Sequence, residues 1–276
     1  MLRIGWFSSG RGPGSRDLLR AVMESIGSGG LDAEVSFAFC NWSNGEADNP
    51  RREQREMFFD MVRGYGIPLV SASWKEFRPD LRASDPAAWR DGYGELLRDS
   101  IRGFGFDLGV LAGYMLWMDD RTCEEYGMIN LHPALPGGPK GTWEEVIWSL
   151  IRDGAEEHGA MIHACTRDWD RGDAVAFCRF PIRGPGFDRL WEGMAEKLES
   201  STLEEVAARE GAEEPLFKKI REEGRRREVP LTVAAIGMFA DGSARIEGGR
   251  LVRGCAPADG PVDLSAEVDA SLAGCR

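Results

Sequence analysis

Leu2-Arg3-Ile4-Gly5-Trp6-Phe7-Ser8-Ser9-Gly10-Arg11-Gly12-Pro13-Gly14-Ser15 opens the chain, and Leu18, Leu19, Val22, Met23 and Ile26 follow it at helical spacing. A short apolar run, a glycine turn and an amphipathic stretch predict strand, loop and helix in that order. The alternation repeats. Apolar runs at 35–39 and 68–70 flank a helical pattern carried by Met57, Phe58, Met61 and Val62, and residues 87–104 also read as helix. Asp107-Leu108-Gly109-Val110-Leu111-Ala112-Gly113 has the near-continuous apolar character of a strand covered on both faces. Strands alternating with helices predict an α/β fold with a Rossmann-like, doubly wound, mostly parallel sheet, where ligands collect beyond the carboxyl ends of the strands.

At 276 residues, 42% hydrophobic and 29% charged, the chain is long enough to bury a core without disulfides or a structural metal. Cys40, Cys123, Cys165, Cys178, Cys255 and Cys275 form no C-x-x-C pair and no zinc-finger spacing, so free thiols and no metal are expected. The N-terminus is interrupted by Gly and Ser too early for a signal peptide, and no stretch approaches ~18 apolar residues, so a cytoplasmic protein is expected. The net charge of -12 opposes binding to nucleic acid or anionic lipid and leaves small molecules as ligands, with the chain a monomer or homodimer. One basic run, Lys218-Lys219-Ile220-Arg221 with Arg225-Arg226-Arg227, is interleaved with Glu222, Glu223 and Glu228. It reads as a solvated helix face or as a site for an anionic small molecule.

Further along, Met128-Ile129-Asn130-Leu131-His132 predicts a short strand running into Pro133-Ala134-Leu135-Pro136-Gly137-Gly138-Pro139-Lys140-Gly141. Thr142 and Glu145 make a capping-box pattern, after which Trp143, Val146, Ile147 and Leu150 share a helix face. Residues 159–166 and 174–182 predict an antiparallel hairpin around the acidic turn 167–173. Charge-laced helix is expected over 187–227 and again over 230–240, then a short strand at 244–247. The resulting organisation is a catalytic core at 1–183, a helical extension packing on it at 184–253, and a loosely ordered tail at 254–276.

Side chains two apart on a strand share a face, so Asn130 and His132 point together. The pair reads either as a strand-end hydrogen bonder beside a satisfied histidine, or as an amide and an imidazole stabilising negative charge on a carbonyl oxygen. Gly10, Gly12 and Gly14 ahead of a helix read as a plain turn or as a phosphate cradle at the helix's positive end. They match neither a Walker P-loop nor a dinucleotide fingerprint.

The order of further elements is more specific. Ile129-Asn130-Leu131-His132-Pro133-Ala134-Leu135-Pro136, then Gly141, Glu156-Glu157-His158-Gly159, His163, Thr166 and Asp170, resembles the glycinamide ribonucleotide formyltransferase family, with its N-x-H-P-S-L-L-P…G, E-E-H-G and T-x-x-x-D segments. Leu111-Ala112-Gly113-Tyr114-Met115-Leu116-Trp117 looks like that family's folate-binding segment, and Phe239-Ala240-Asp241-Gly242 like its F-A-D-G ending. The likeness covers about 2–247.

The resemblance implies the formyltransferase fold and transfer of a formyl group from 10-formyltetrahydrofolate to the amine of glycinamide ribonucleotide, in purine synthesis. Asn130 and His132 would donate to the formyl oxygen, and Asp170 would keep the imidazole charged and help move protons. Tyr114, Met115, Leu116, Trp117, Met118, Arg167 and Trp169 would contact the folate. Gly10, Arg11, Gly12, Gly14, Ser15, Pro133, Arg225 and Glu228 would contact the phosphorylated amine. Two segments differ from the family. The glycine loop is longer than S-G-x-G-S-N and lacks its Asn, and Gly137–Trp143 lacks a histidine after the glycine. These differences leave open another acceptor, such as an amino sugar nucleotide. Water as acceptor is disfavoured by a first strand beginning at residue 2, and an idle folate- or nucleotide-binding homologue by retention of all three polar residues.

Overall fold

The computed structural model describes residues 1–43, 51–166, 168, 171–254, 256–257 and 259–274. Arg167, Trp169 and Asp170 of the expected site, and Cys255 and Cys275, lie outside the described residues. The order is β1 (Leu2–Ser8), α1 (Pro13–Gly27), β2 (Ala33–Cys40), α2 (Arg52–Gly64), β3 (Leu69–Ser71), α3 (Pro79–Ser84), α4 (Pro86–Ile101), β4 (Leu108–Leu111), α5 (Asp120–Glu125), β5 (Met128–His132) and α6 (Trp143–Arg152). Then come β6 (Glu157–Ala164), β7 (Ala174–Pro181), α7 (Asp188–Leu198), α8 (Leu203–Glu210), α9 (Pro215–Ala240), β8 (Arg245–Glu247), β9 (Arg250–Arg253), β10 (Ala256–Pro257), β11 (Val262–Asp263) and α10 (Ser265–Gly274).

Eight strands form the main sheet in the order β11-β7-β6-β5-β4-β1-β2-β3. β1 pairs in parallel with β2 and β4, β2 with β3, β4 with β5, and β7 with β11. The expected α/β class and parallel sheet are therefore present. β6 and β7 form the expected antiparallel pair, in which Ala164 N donates to Asp173 O at 2.8 Å and Ile182 N to Glu156 O at 2.9 Å.

The chain divides into two compact units. The first comprises Met1–Leu131, His163–Val175 and Ala235–Gly260. Its core packs Phe7, Phe37 and Phe39 from β1 and β2 against Leu97, Ile101, Tyr114 and Met128. Gly5 is required there because a Cβ would lie 2.8 Å from the Phe37 ring. The second unit comprises His132–Ile162, Ala176–Ala234 and Pro261–Arg276, and buries Val146, Ile147, Phe180, Ile182, Leu216, Phe217 and Ile220. This division cuts across the boundary expected at 183.

Three expectations about the C-terminal region are corrected. The helix expected over 187–227 breaks into α7, α8 and the start of α9, because Thr202 with Glu205 opens a new capping box and Gly211 ends α8 in a left-handed turn at φ 53°. The separate helix expected over 230–240 is instead the end of α9, which runs through Pro230. That proline lacks an N–H, so one carbonyl of the preceding turn goes without its helical partner. The tail expected to be loosely packed carries β10, β11 and α10, with Leu264 and Val268 buried. Its Gly, Ala and Pro content hid two strands of two residues each and a helix.

Candidate active site

In the first unit, the loops leaving β1 and β4 are stitched together by backbone groups and two serine hydroxyls. Ser9 N donates to Gly113 O at 3.1 Å, Met115 N to Ser9 Oγ at 2.8 Å, and Ser8 Oγ to Ala112 O at 2.8 Å. Gly10 and Gly113 take left-handed conformations at φ 59° and 68°, where a side chain would be strained. Gly12 caps α1 without a side-chain bond, Gly14 lies in its first turn, and Ser15 Oγ donates to Gly12 O at 3.0 Å. Gly10, Arg11, Gly12, Gly14 and Ser15 thus sit where the sequence places them, at a helix N-terminus beyond a parallel strand, an arrangement suited to an anion.

Asn130 lies at the carboxyl end of β5. Its Nδ2 is 3.3 Å from His163 Nε2, and His163 Nδ1 is 2.9 Å from Ala164 O. Tyr114, Leu116, Trp117, Met118, Asn130 and His163 line a narrow cavity of about 30 Å³. Tyr114 and Met118 are buried, whereas Met115 and Trp117 are about half exposed. Burial holds the Tyr114 phenol well above its usual range, so it stays a neutral hydroxyl.

In the second unit, His132 is buried and its Nε2 donates to Pro139 O at 3.2 Å, tying the end of β5 to the following loop. That loop is anchored at its far end by the expected capping box, with Thr142 N donating to Glu145 Oε2 at 2.7 Å. Half-buried Pro133 begins it. His158, also buried, meets the Phe180 ring edge-on at 5.5 Å. Burial, the nearby Arg221 guanidinium and then His132 push its pKa down to about 3, so His158 is neutral at physiological pH.

On α9, Glu228 is ion-paired to Arg221, whose guanidinium lies 4.7 Å over the Trp143 ring, while Arg225 is exposed. Lys218 pairs with Glu213, and Lys219, Arg226 and Arg227 all pair with Glu223. The basic run is therefore an ion-paired helix face. Among the described residues no group of three His, Cys, Asp or Glu is placed to hold a metal ion, and no helix is long and apolar enough to cross a membrane.

Sequence reasoning gave His163 and His158 no role of their own. The available signal was a histidine at each end of the continuous run Gly159-Ala160-Met161-Ile162 on a strand beside β5, which sets polar side chains among buried ones.

Polar side chains at the carboxyl ends of β1 and β5 give this α/β protein a candidate small-molecule site. The sequence profile of the formyl transferase family matches residues 9–186, and the chain belongs to that family. The phosphoribosylglycinamide formyltransferase of Dictyostelium discoideum is 33% identical over 103 residues, covering 34% of this chain and 50% of that protein. The chain spans about half the length of the curated relatives it matches. In fold it is similar to the phosphoribosylglycinamide formyltransferase of Coxiella burnetii, with a TM-score of 0.63 and 20% identity over 95% of this chain and 99% of that one. It is also similar to a formyltetrahydrofolate deformylase of Burkholderia mallei, with a TM-score of 0.57 and 16% identity over 92% of this chain and 70% of that one.

Proposed function

We propose that the protein transfers the formyl group of 10-formyltetrahydrofolate to the primary amine of glycinamide ribonucleotide, in the cytoplasm. The observation that carries this reading is Asn130, at a strand end in a formyl transferase family chain, with its amide nitrogen turned toward His163 beside the narrow cavity. The amine attacks the formyl carbon and the carbonyl oxygen gains negative charge. An Asn130 N–H and a protonated His132 donate to that oxyanion, with neither group needing to reorganise as charge develops. Asp170 keeps the imidazole charged and takes the proton leaving the attacking amine. Collapse breaks the bond from carbon to N10, which takes up the proton removed from the amine, leaving the formylated amine and tetrahydrofolate. The folate lies along 114–118 with Arg167 and Trp169, and the phosphate at the glycine loop, with Pro133, Arg225 and Glu228 toward the amine.

Purified protein with 10-formyltetrahydrofolate and glycinamide ribonucleotide tests this, following tetrahydrofolate release. Turnover dependent on the ribonucleotide is the expected result. Turnover only with another amine overturns the acceptor and keeps the donor. The likeness to formyltetrahydrofolate deformylase supports a second reading with water as acceptor, for which formate would appear without any amine. Folate binding without turnover would mark a non-catalytic homologue.

A further inference from the structure

Two thiols separated by 42 residues of sequence meet in the first unit. Cys123 lies on α5 and Cys165 one residue past β6, and their Sγ atoms stand 3.8 Å apart, in contact and unbonded. Both are buried, Cys123 to 4% exposure and Cys165 to 9%. Their backbones are held from opposite sides. Arg98 Nη1 donates to Thr122 Oγ1 at 2.7 Å and Thr122 N to Asp119 Oδ1 at 3.2 Å, which fixes α5, while Cys165 N donates to Met128 O at 2.8 Å.

The two sulfurs differ in access. Cys165 lines the narrow cavity together with Tyr114, Met118, Asn130 and His163, whereas Cys123 lies outside its wall. That cavity holds about 30 Å³. One water needs ~10–15 Å³, so the space admits a molecule the size of hydrogen peroxide and excludes one the size of glutathione disulfide. Contact with Cys165, and then burial, hold the Cys123 thiol above its usual range. Cys123 therefore stays a thiol, the poorer nucleophile, until its partner sulfur has been oxidised.

We infer that Cys123 and Cys165 form a reversible disulfide when hydrogen peroxide reaches the cavity, and that this bond switches the site off through His163. The Cys165 sulfur gives up its proton and attacks one peroxide oxygen. The O–O bond breaks, Cys165 becomes a sulfenic acid, and the departing hydroxide takes the proton as water. The Cys123 sulfur then attacks that of Cys165, the S–O bond breaks as S–S forms, and hydroxide leaves with the Cys123 proton as a second water. Two thiols are oxidised by two electrons and one peroxide is reduced to two waters. A disulfide sets its sulfurs about 2.05 Å apart, so the pair must close from 3.8 Å. With α5 pinned, the movement falls on Cys165 and the adjacent Ala164, whose carbonyl is 2.9 Å from His163 Nδ1. Moving that carbonyl frees the ring that sets His163 Nε2 against the Asn130 amide. The bond stands on the thiol geometry alone, whereas its effect on turnover rests on the formyl-transfer reading above.

Treating the reduced full chain with equimolar hydrogen peroxide, digesting it without reductant and mapping the peptides by mass spectrometry tests this. A peptide pair joined through Cys123 and Cys165 is expected, lighter by two hydrogens than its parts and separated by dithiothreitol. Turnover is expected to fall at least ~10-fold as the bond forms and to return on reduction. The ring nitrogen resonances of His163, assigned against His163→Phe, are expected to shift with it. Cys165→Ala is expected to show neither the cross-link nor the loss, measured against its own untreated activity, and Cys165→Val replaces it if the alanine variant does not fold. A different cross-link, or Cys165 oxidised to the sulfinic acid with Cys123 still a thiol, overturns the inference. The expected cross-link with unmoved ring resonances overturns the switch. A reduced chain without turnover overturns the formyl-transfer reading alone, since the cross-link and the ring resonances still decide the disulfide and its reach to His163.

Discussion

The side-chain nitrogen of Asn130 meets the Nε2 lone pair of His163, because His163 commits its Nδ1 proton to the carbonyl of Ala164. A carbonyl only accepts, so the tautomer follows from the backbone, and the tautomer in turn selects the amide orientation of Asn130. An oxygen turned toward that lone pair would be repelled. The amide that would polarise the formyl oxygen is therefore aligned before substrate binds.

Replacing Asn130 with Ala removes that donor and is expected to lower kcat by ~10²–10³, with a much smaller effect on KM. Steady-state kinetics with the folate donor check it. A loss confined to KM would remove Asn130 from the transition state.

His163 acts through Asn130, so His163→Phe is expected to lower kcat by roughly 10- to 10²-fold through a misplaced amide, with KM for the amine little changed. The pH dependence of kcat should keep its midpoint, since His163 transfers no proton in this scheme. A shifted midpoint would assign it a different role.

His158 makes stability depend on acid. Its pKa falls from about 6.5 in the unfolded chain to about 3 in the folded one, so the unfolded state binds a proton that the folded state refuses. The contribution is complete above pH ~6.5 and is lost as pH falls toward 3, to an upper bound of roughly 5 kcal/mol. His158→Gln should flatten the fall in urea midpoint across that range. An unchanged slope would show that other groups govern acid unfolding.

Gly159, on β6, has no room for a side chain. A Cβ there would lie 2.0 Å from Cys178 O on β7, which can yield only by moving backbone, and 2.5 Å from the end of the half-buried Leu135 side chain. Gly159→Ala is expected to cost about 1–3 kcal/mol, a drop of several degrees in Tm by calorimetry.

The glycine turn, the parallel strands and the Thr142–Glu145 cap were legible because each follows from local chemistry: backbone freedom, apolar runs and a side chain three residues from its partner. Asn130 and His132 were legible as a strand-end pair. The His163 contact was not, since it joins neighbouring strands β5 and β6 and depends on which carbonyl the ring finds. Helix breaks in 187–227 were hidden by continuous charge patterning, which reports solvent exposure but not where one helix yields to the next.

Val262 and Asp263 add a parallel strand outside β7, and Leu264 N donates to Phe177 O at 2.8 Å just past it. That short segment blunts a sheet border which would otherwise present unpaired amides to a second molecule. Removing the chain from residue 261 onward should therefore leave a protein that folds yet clumps on concentration, detectable by light scattering, so the C-terminal stretch works as a guard against self-association.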